Sequence, residues 1–155
     1  MDDLQPNSRS CFVCGMEKPV GLRLRFFQTS EGEVTADYQP PEHFQGYPGV
    51  LHGGIAASML DEASARAHMG GNPPRFLYTA KLEIRYRKNI PMGQRLRLVG
   101  KATGGRGRVA EGWAGIYDQE GTLLAEAKSV LMDIPSEMLK ESDLEQLGWK
   151  VYPRE

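Results

Sequence analysis

Gly49-Val50-Leu51-His52-Gly53-Gly54-Ile55-Ala56-Ala57-Ser58-Met59-Leu60-Asp61-Glu62-Ala63-Ser64-Ala65-Arg66-Ala67-His68 is the stretch that decides how the rest of the chain must be arranged. It reads as a turn followed by a helix. From Gly54 onward Ala, Met and Leu dominate and no proline intervenes, which predicts helix through about Met69, where Gly70-Gly71-Asn72-Pro73-Pro74 stops it. Gly53 and Gly54 let backbone come close to a ligand at the point where the first unpaired N–H groups and the positive end of the helix are directed. An oxyanion fits there. Asp61, nine residues after His52, shares a helix face with Ala57, Ser58, Ala65 and His68, so a carboxylate stands on a face lined mostly by small side chains. Paired glycines before a helix more often mark only a tight turn, and a lone helical Asp is usually solvated. Their combination on one helix is what points to chemistry.

The segment His52 to Asp61 resembles the signature of the hotdog-fold acyl-CoA thioesterases, in the branch holding the phenylacetyl-CoA thioesterases and the human thioesterase superfamily members. Cys11-Phe12-Val13-Cys14-Gly15 with Gly21-Leu22, and Phe44-Gln45-Gly46-Tyr47-Pro48-Gly49, resemble the lead-in of one group in that branch. Thr79-Ala80-Lys81-Leu82-Glu83-Ile84-Arg85-Tyr86 resembles its first long strand. The likeness runs from about Cys11 to Met132.

Length and composition set the bounds. A chain of 155 residues suits one domain with a real core, and 40% apolar with 25% charged residues is ordinary globular composition. A formal net charge of −1 argues against a dedicated nucleic-acid binder or a membrane-surface protein. No apolar run reaches the length of a membrane span, and Met1-Asp2-Asp3 lacks the basic start of a secretory signal, so the expected location is cytoplasmic. Cys11-x-x-Cys14 has a spacing that suits zinc or redox chemistry. A structural zinc site needs four ligands, however, and His43, His52 and His68 do not have zinc-finger spacing. The expectation is no metal and two reduced thiols packed at the start of the domain.

Residues 1–10 read as a mobile tail, 11–135 as the domain, and 136–155 as a short helical extension. In that extension Ser136 can cap one helical piece and Ser142-x-x-Glu145 resembles a capping box for another. Within the domain, Leu22, Leu24 and Phe26 alternate with Arg23 and Arg25 as a half-buried strand. A turn at Ser30-Glu31-Gly32 leads to a second strand with Val34, Ala36 and Tyr38 inward. Residues 39–48 form a proline-broken loop. After the helix, Tyr78, Ala80, Leu82, Ile84 and Tyr86 alternate with Thr79, Lys81, Glu83, Arg85 and Arg87 along a strand whose length invites pairing across a subunit boundary. In the next strand Leu96, Leu98, Gly100 and Ala102 face one way, and the change from large to small suggests a helix lying close. Val109–Tyr117 and Thr122–Asp133 complete six strands joined by short turns, hence antiparallel. A curved antiparallel sheet wrapped round one long, mostly apolar helix is the expected fold, the α+β hotdog arrangement.

The resemblance implies a homodimer, or a dimer of dimers, with active sites at the interface, each using the turn of one subunit and the helix of the other. It implies that Gly54, with Gly53 beside it, donates N–H to the thioester carbonyl. Asp61 of the partner subunit would be nucleophile or general base, and His52 would shape the turn. Nothing supplies the serine or cysteine nucleophile of a triad. Thr79 matches a hydroxyl that holds the attacking water, yet simple alternation points it away from Leu82 and Ile84. Either a bulge reverses the face or Thr79 is only a strand residue. Some relatives place a polar amide where this chain has Gly46, and Gln45 is its candidate substitute. Phe44, Tyr47, Met59, Phe76 and Tyr78 are candidates for lining an aryl or a medium-chain pocket. Coenzyme A belongs to the substrate, so no cofactor is expected.

CoA brings phosphates, and ten basic residues between Arg75 and Arg108 stand against the single acid Glu83. Arg87, Lys88, Arg106 and Arg108, at strand ends or turns, are the phosphate candidates. The same cluster suits a basic nucleic-acid module, but its aromatics are mostly on the expected core face and offer no stacking platform. A non-catalytic acyl-CoA sensor or carrier is the other alternative, and the presence of Asp61 argues for catalysis over it.

Overall fold

Apolar positions of the central helix set the architecture. The computed structural model describes residues 3–71 and 74–153, without the side chains of Glu141 and Ser142. Helix α1 (Gly53–Arg66) buries Ala56, Met59, Leu60 and Ala63 completely. It lies across an antiparallel sheet of β1 (Asp3–Leu4), β2 (Phe27–Ser30), β3 (Glu33–Tyr38), β4 (Leu77–Tyr86), β5 (Leu96–Arg106), β6 (Val109–Tyr117) and β7 (Leu123–Asp133). The order is β1-β2-β3-β5-β6-β7-β4, so β4 is an edge strand. Close approach of helix and sheet depends on missing side chains: a Cβ on Gly100 would meet the carbonyl oxygen of Ala63 at 2.1 Å, and one on Gly112 that of Ser64 at 2.8 Å. This is the curved sheet around one long helix expected of a hotdog fold, with seven strands instead of six.

The seventh strand comes from the segment expected to be a mobile tail. Asp3–Leu4 pairs with β2, and Gln5, Asn7 and Ser8 are buried. The anchor is Arg66, wholly buried at the end of α1, whose guanidinium donates to the Pro6 carbonyl and to Asn7 Oδ1 and lies 5.2 Å from the Phe26 and Trp149 rings. A buried guanidinium must be paired or bonded throughout. The N-terminal segment supplies those acceptors and is held by them. Asn7 also bridges to Lys150, so the two ends of the chain pack together.

Three further expectations need correction. Leu22, Leu24 and Phe26 are buried as their alternation predicts, but they are not in a strand. Arg23 takes a left-handed φ of 55°, which breaks the extended run, and the amides of Leu22 and Leu24 bond to Phe12 and Val13 instead. Helix α1 ends at Arg66, not Met69, because His68 and Met69 donate to carbonyls three residues back and tighten the chain into turns. Of the expected stop beyond it, Asn72 and Pro73 lie outside the described residues. Ser136 does not cap: the short 3-10 turn Ser136–Met138 starts after Pro135 with no side-chain cap bond. Helix α2 (Glu141–Gln146) is capped by Asp143, whose carboxylate accepts from the Lys140 amide at 2.9 Å, while the Ser142 side chain lies outside the description. Among the described residues, no helix is long and apolar enough to cross a membrane.

Candidate active site

His52 is the N-cap of α1, and its Nδ1 accepts the N–H of Gly54 at 2.9 Å. An accepting Nδ1 leaves the ring hydrogen on Nε2 in the neutral imidazole. Gly54, the expected oxyanion donor, therefore has its N–H already engaged. The N–H of Gly53, at the first helical position, has no acceptor among the described residues. The Tyr86 hydroxyl donates to the Gly53 carbonyl at 2.6 Å and ties the turn to the end of β4. Burial raises the Tyr86 pKa, so this donor stays protonated. Gln45 Oε1 accepts from Gly49 N–H at 2.8 Å, which fixes the preceding loop, and its amide NH₂ has no protein acceptor among the described residues. Gln45, Tyr47, His52, Gly53, Tyr86 and Lys88 line an open cleft of about 600 Å³.

Asp61 stands further along the helix. Thr79 Oγ1 donates to Asp61 Oδ1 at 2.6 Å. The contact exists because the β4–β7 register slips between Thr79 and Lys81, leaving Ala80 as an extra residue. Thr79 is opposite Leu131, Leu82 opposite Ser129 and Ile84 opposite Ala127, and all three β7 partners are buried. The bulge thus turns Thr79 to the face of Leu82 and Ile84, which resolves the alternation in favour of the reversed face.

Asp61 lies eight residues after Gly53 on the helix, a rise of roughly 12 Å at 1.5 Å per residue. Thr79 and Tyr86 are exposed along edge strand β4, and Tyr78, next to Thr79 in the strand, is exposed on the opposite face.

The remaining candidates scatter. Met59 is wholly buried in the core, and Phe44 is buried edge-on against Phe12 with ring centroids 6.4 Å apart, so neither lines the cleft. Arg87 is bonded to Glu126 at 2.6 Å, which holds that carboxyl below its usual range, and so is not a free phosphate ligand. Arg106 and Arg108 are exposed at the β5–β6 turn, whose strands end beside Met132 and Asp133. Along β4 that is nine residues from Tyr86, roughly 30 Å at about 3.3 Å per residue. Only Lys88 of the four reaches the His52 turn within one chain. Tyr86 was missed as a site residue, because alternation alone marks it as core. A signal was available in its position at the strand end with a polar tip.

The family model of the thioesterase superfamily matches residues 48–125, just over half of the chain and inclusive of the turn, Asp61, Thr79 and Tyr86. The chain belongs to the thioesterase superfamily. Among superfamily relatives, the acyl-coenzyme A thioesterase THEM5 of Mus musculus is 36% identical over 69 residues, 44% of this chain and 27% of that protein. Acyl-coenzyme A thioesterase THEM4 of Rattus norvegicus is 32% identical over 82 residues, 52% of this chain and 34% of that protein. The chain spans about a quarter to a third of the length of the curated relatives it matches. A thioesterase superfamily protein of known crystal structure superposes with a TM-score of 0.73 at 27% identity, over 81% of this chain and 61% of that one.

Proposed function

We propose that this protein is a hydrolase that cleaves the thioester of a small to medium acyl- or aryl-CoA, with Asp61 as the group that delivers oxygen to the carbonyl. The observation that carries the proposal is the 2.6 Å bond from Thr79 to Asp61 Oδ1. It orients a helix carboxylate and leaves its second oxygen to accept a proton from water, while the Thr79 oxygen keeps lone pairs for the same water. The acyl-coenzyme A thioesterase relatives supply the substrate class.

In the proposed reaction the thioester oxygen meets the Gly53 N–H and the positive helix end, and the Gly54 N–H joins only by giving up His52 Nδ1. Asp61 of a partner subunit removes a proton from water as the water oxygen bonds to the carbonyl carbon, the tetrahedral intermediate collapses with cleavage of the C–S bond, and the departing CoA thiolate takes up, through solvent, the proton that Asp61 releases. Thiolate needs little help to leave, so an oxyanion donor and a positioned base suffice, without a cofactor. The homodimer is part of the proposal. It is supported by the roughly 12 Å between Gly53 and Asp61 on one helix and by the exposed edge of β4. Lys88 beside the turn is the proposed phosphate contact of the chain that supplies the turn, and Arg106 and Arg108 reach CoA only from a second chain. A cytoplasmic setting accompanies this reading.

The test is a hydrolysis screen of the purified chain over CoA thioesters of graded length and aromaticity, with a short thioester lacking the nucleotide alongside. Turnover of CoA esters with a much higher KM for the short thioester supports the proposal. Binding of CoA esters without turnover would make the protein a sensor or carrier instead.

A further inference from the structure

Cys11 and Cys14 take no part in the thioester site. The run Cys11-Phe12-Val13-Cys14-Gly15 closes in one turn, with the Gly15 N–H donating to the Cys11 carbonyl at 2.8 Å. A side chain at Gly15 would lie 2.3 Å from that same oxygen, so the glycine is what allows the turn. Ser8 Oγ accepts the Cys11 amide at 3.1 Å and lies 3.5 Å from Cys14 Sγ. Both cysteines are free thiols, and their two sulfurs and a Glu62 carboxylate oxygen all lie within 4.8 Å of one another. Cys14 is 2% exposed, whereas Cys11 is half-buried. Both line a cleft of about 320 Å³ together with Ser10, Met69 and Arg75. A structural zinc ion needs four ligands. Three are offered among the described residues, and one of them, the Glu62 carboxylate, is already bonded by the buried Arg66 guanidinium at 3.1 Å. The arrangement suits dithiol chemistry better than a cation.

We propose that Cys11 and Cys14 form a thiol–disulfide exchange site that takes small-molecule disulfides, with Cys11 attacking, Cys14 resolving and Glu62 accepting the proton of Cys14. The outer sulfur is the one a reagent in the cleft can reach, and the buried one is reserved for the second step. The charges agree with this division. A hydrogen bond from the Cys14 thiol stabilises the Cys11 thiolate and brings its pKa down to about 6. That same bond and burial push Cys14 up to about 12. Burial, partly offset by Arg66, lifts Glu62 to about 7.

In the first step the Cys11 thiolate attacks one sulfur of RS–SR; the Cys11–S–S–R bond forms, the RS–SR bond breaks, and RS⁻ leaves and takes a proton from solvent. Cys14 then gives its proton to Glu62, and its thiolate attacks Cys11 Sγ. The second RS⁻ leaves, and the proton on Glu62 completes the second RSH. The protein loses two electrons and two protons, and RS–SR becomes two RSH. Closing the bond brings the two sulfurs to about 2.05 Å. This proposal stands independently of the thioesterase reading.

The test equilibrates the full chain anaerobically in buffers of graded reduced to oxidised glutathione, then blocks free thiols by alkylation and reads intact and peptide masses. Expected is reversible conversion to an intramolecular Cys11–Cys14 disulfide lighter by two hydrogens, in a chain that stays folded by circular dichroism. Cys14→Ser should trap a glutathione adduct on Cys11, and Cys11→Ser should form none. Thiols that stay reduced at the most oxidising ratio in the folded chain would overturn the proposal. So would disulfides only between chains, or a stoichiometric zinc ion that protects both thiols from alkylation until a chelator removes it. If Cys14→Ser does not fold, the titration of the natural chain decides alone.

Discussion

Thr79 and Asp61 are joined by a 2.6 Å hydrogen bond that exists only because one residue, Ala80, is extra in the pairing of β4 with β7. Without the bulge Thr79 would face away from the helix, and the carboxylate would have no orienting donor. Thr79→Val keeps the branched shape and removes the hydroxyl. A hydrogen bond to a charged group contributes about 1.5–3 kcal/mol, so kcat should fall by roughly 10- to 100-fold with KM little changed. Thr79→Ser should recover most of it. Steady-state hydrolysis of a responsive CoA ester checks both, and equal rates for Val and Thr would remove Thr79 from the mechanism.

Position 53 offers a cleaner test of the oxyanion donor than any change of side chain. Gly53 is the first helical residue, where proline is well tolerated, and His52 already has φ −59° and ψ 132°, the region a residue before proline prefers. A Cβ there would come no closer than 3.5 Å to the Tyr86 hydroxyl. Gly53→Pro therefore deletes one N–H and leaves the helix standing. The expected result is a drop in kcat of about 10²–10³ with an unchanged denaturation midpoint, and full activity in a folded Gly53→Pro chain would show that the oxyanion sits elsewhere.

Much of this was legible in the chain itself. The helix, the Gly53–Gly54 turn and Asp61 follow from local composition, and the change from Leu96 and Leu98 to Gly100 marks the place where the helix backbone at Ala63 comes close. What alternation cannot report is a break in its own period. The extra Ala80 and the left-handed Arg23 each shift or interrupt a face through one residue's backbone, and neither residue type betrays it. Arg66 was equally silent. A lone arginine on a helix reads as solvated, and its burial depends on acceptors some sixty residues earlier in the chain.

Packing at Gly100 predicts a stability effect separate from catalysis. An added Cβ would meet the Ala63 carbonyl at 2.1 Å, and backbone atoms cannot rotate away as a flexible side chain would. Gly100→Ala should destabilise by about 1–3 kcal/mol, the usual cost of forcing extra volume into a packed core. Urea denaturation measures it. A neutral effect would mean that helix and sheet can part without loss.

The sharing of each site between two chains is tested by mixing two inactive variants. Gly53→Pro and Asp61→Asn homodimers each lack one half of every site, whereas a mixed dimer has one site with both halves intact and one with neither. Random exchange at equal concentrations should restore about a quarter of natural activity. Chains that exchange, as mass labels would show, and restore nothing would place both halves of the site within one chain.

Asp61 carries the central claim, and Asp61→Asn tests it most directly, since the change keeps size and hydrogen-bonding shape while removing the charge. Hydrolysis of the best CoA ester by the natural chain and by Asp61→Asn should differ by about 10²–10⁴ in kcat, the range for a positioned base, with KM nearly equal. A folded Asp61→Asn chain that hydrolyses the same ester within a few fold of the natural rate would contradict the account.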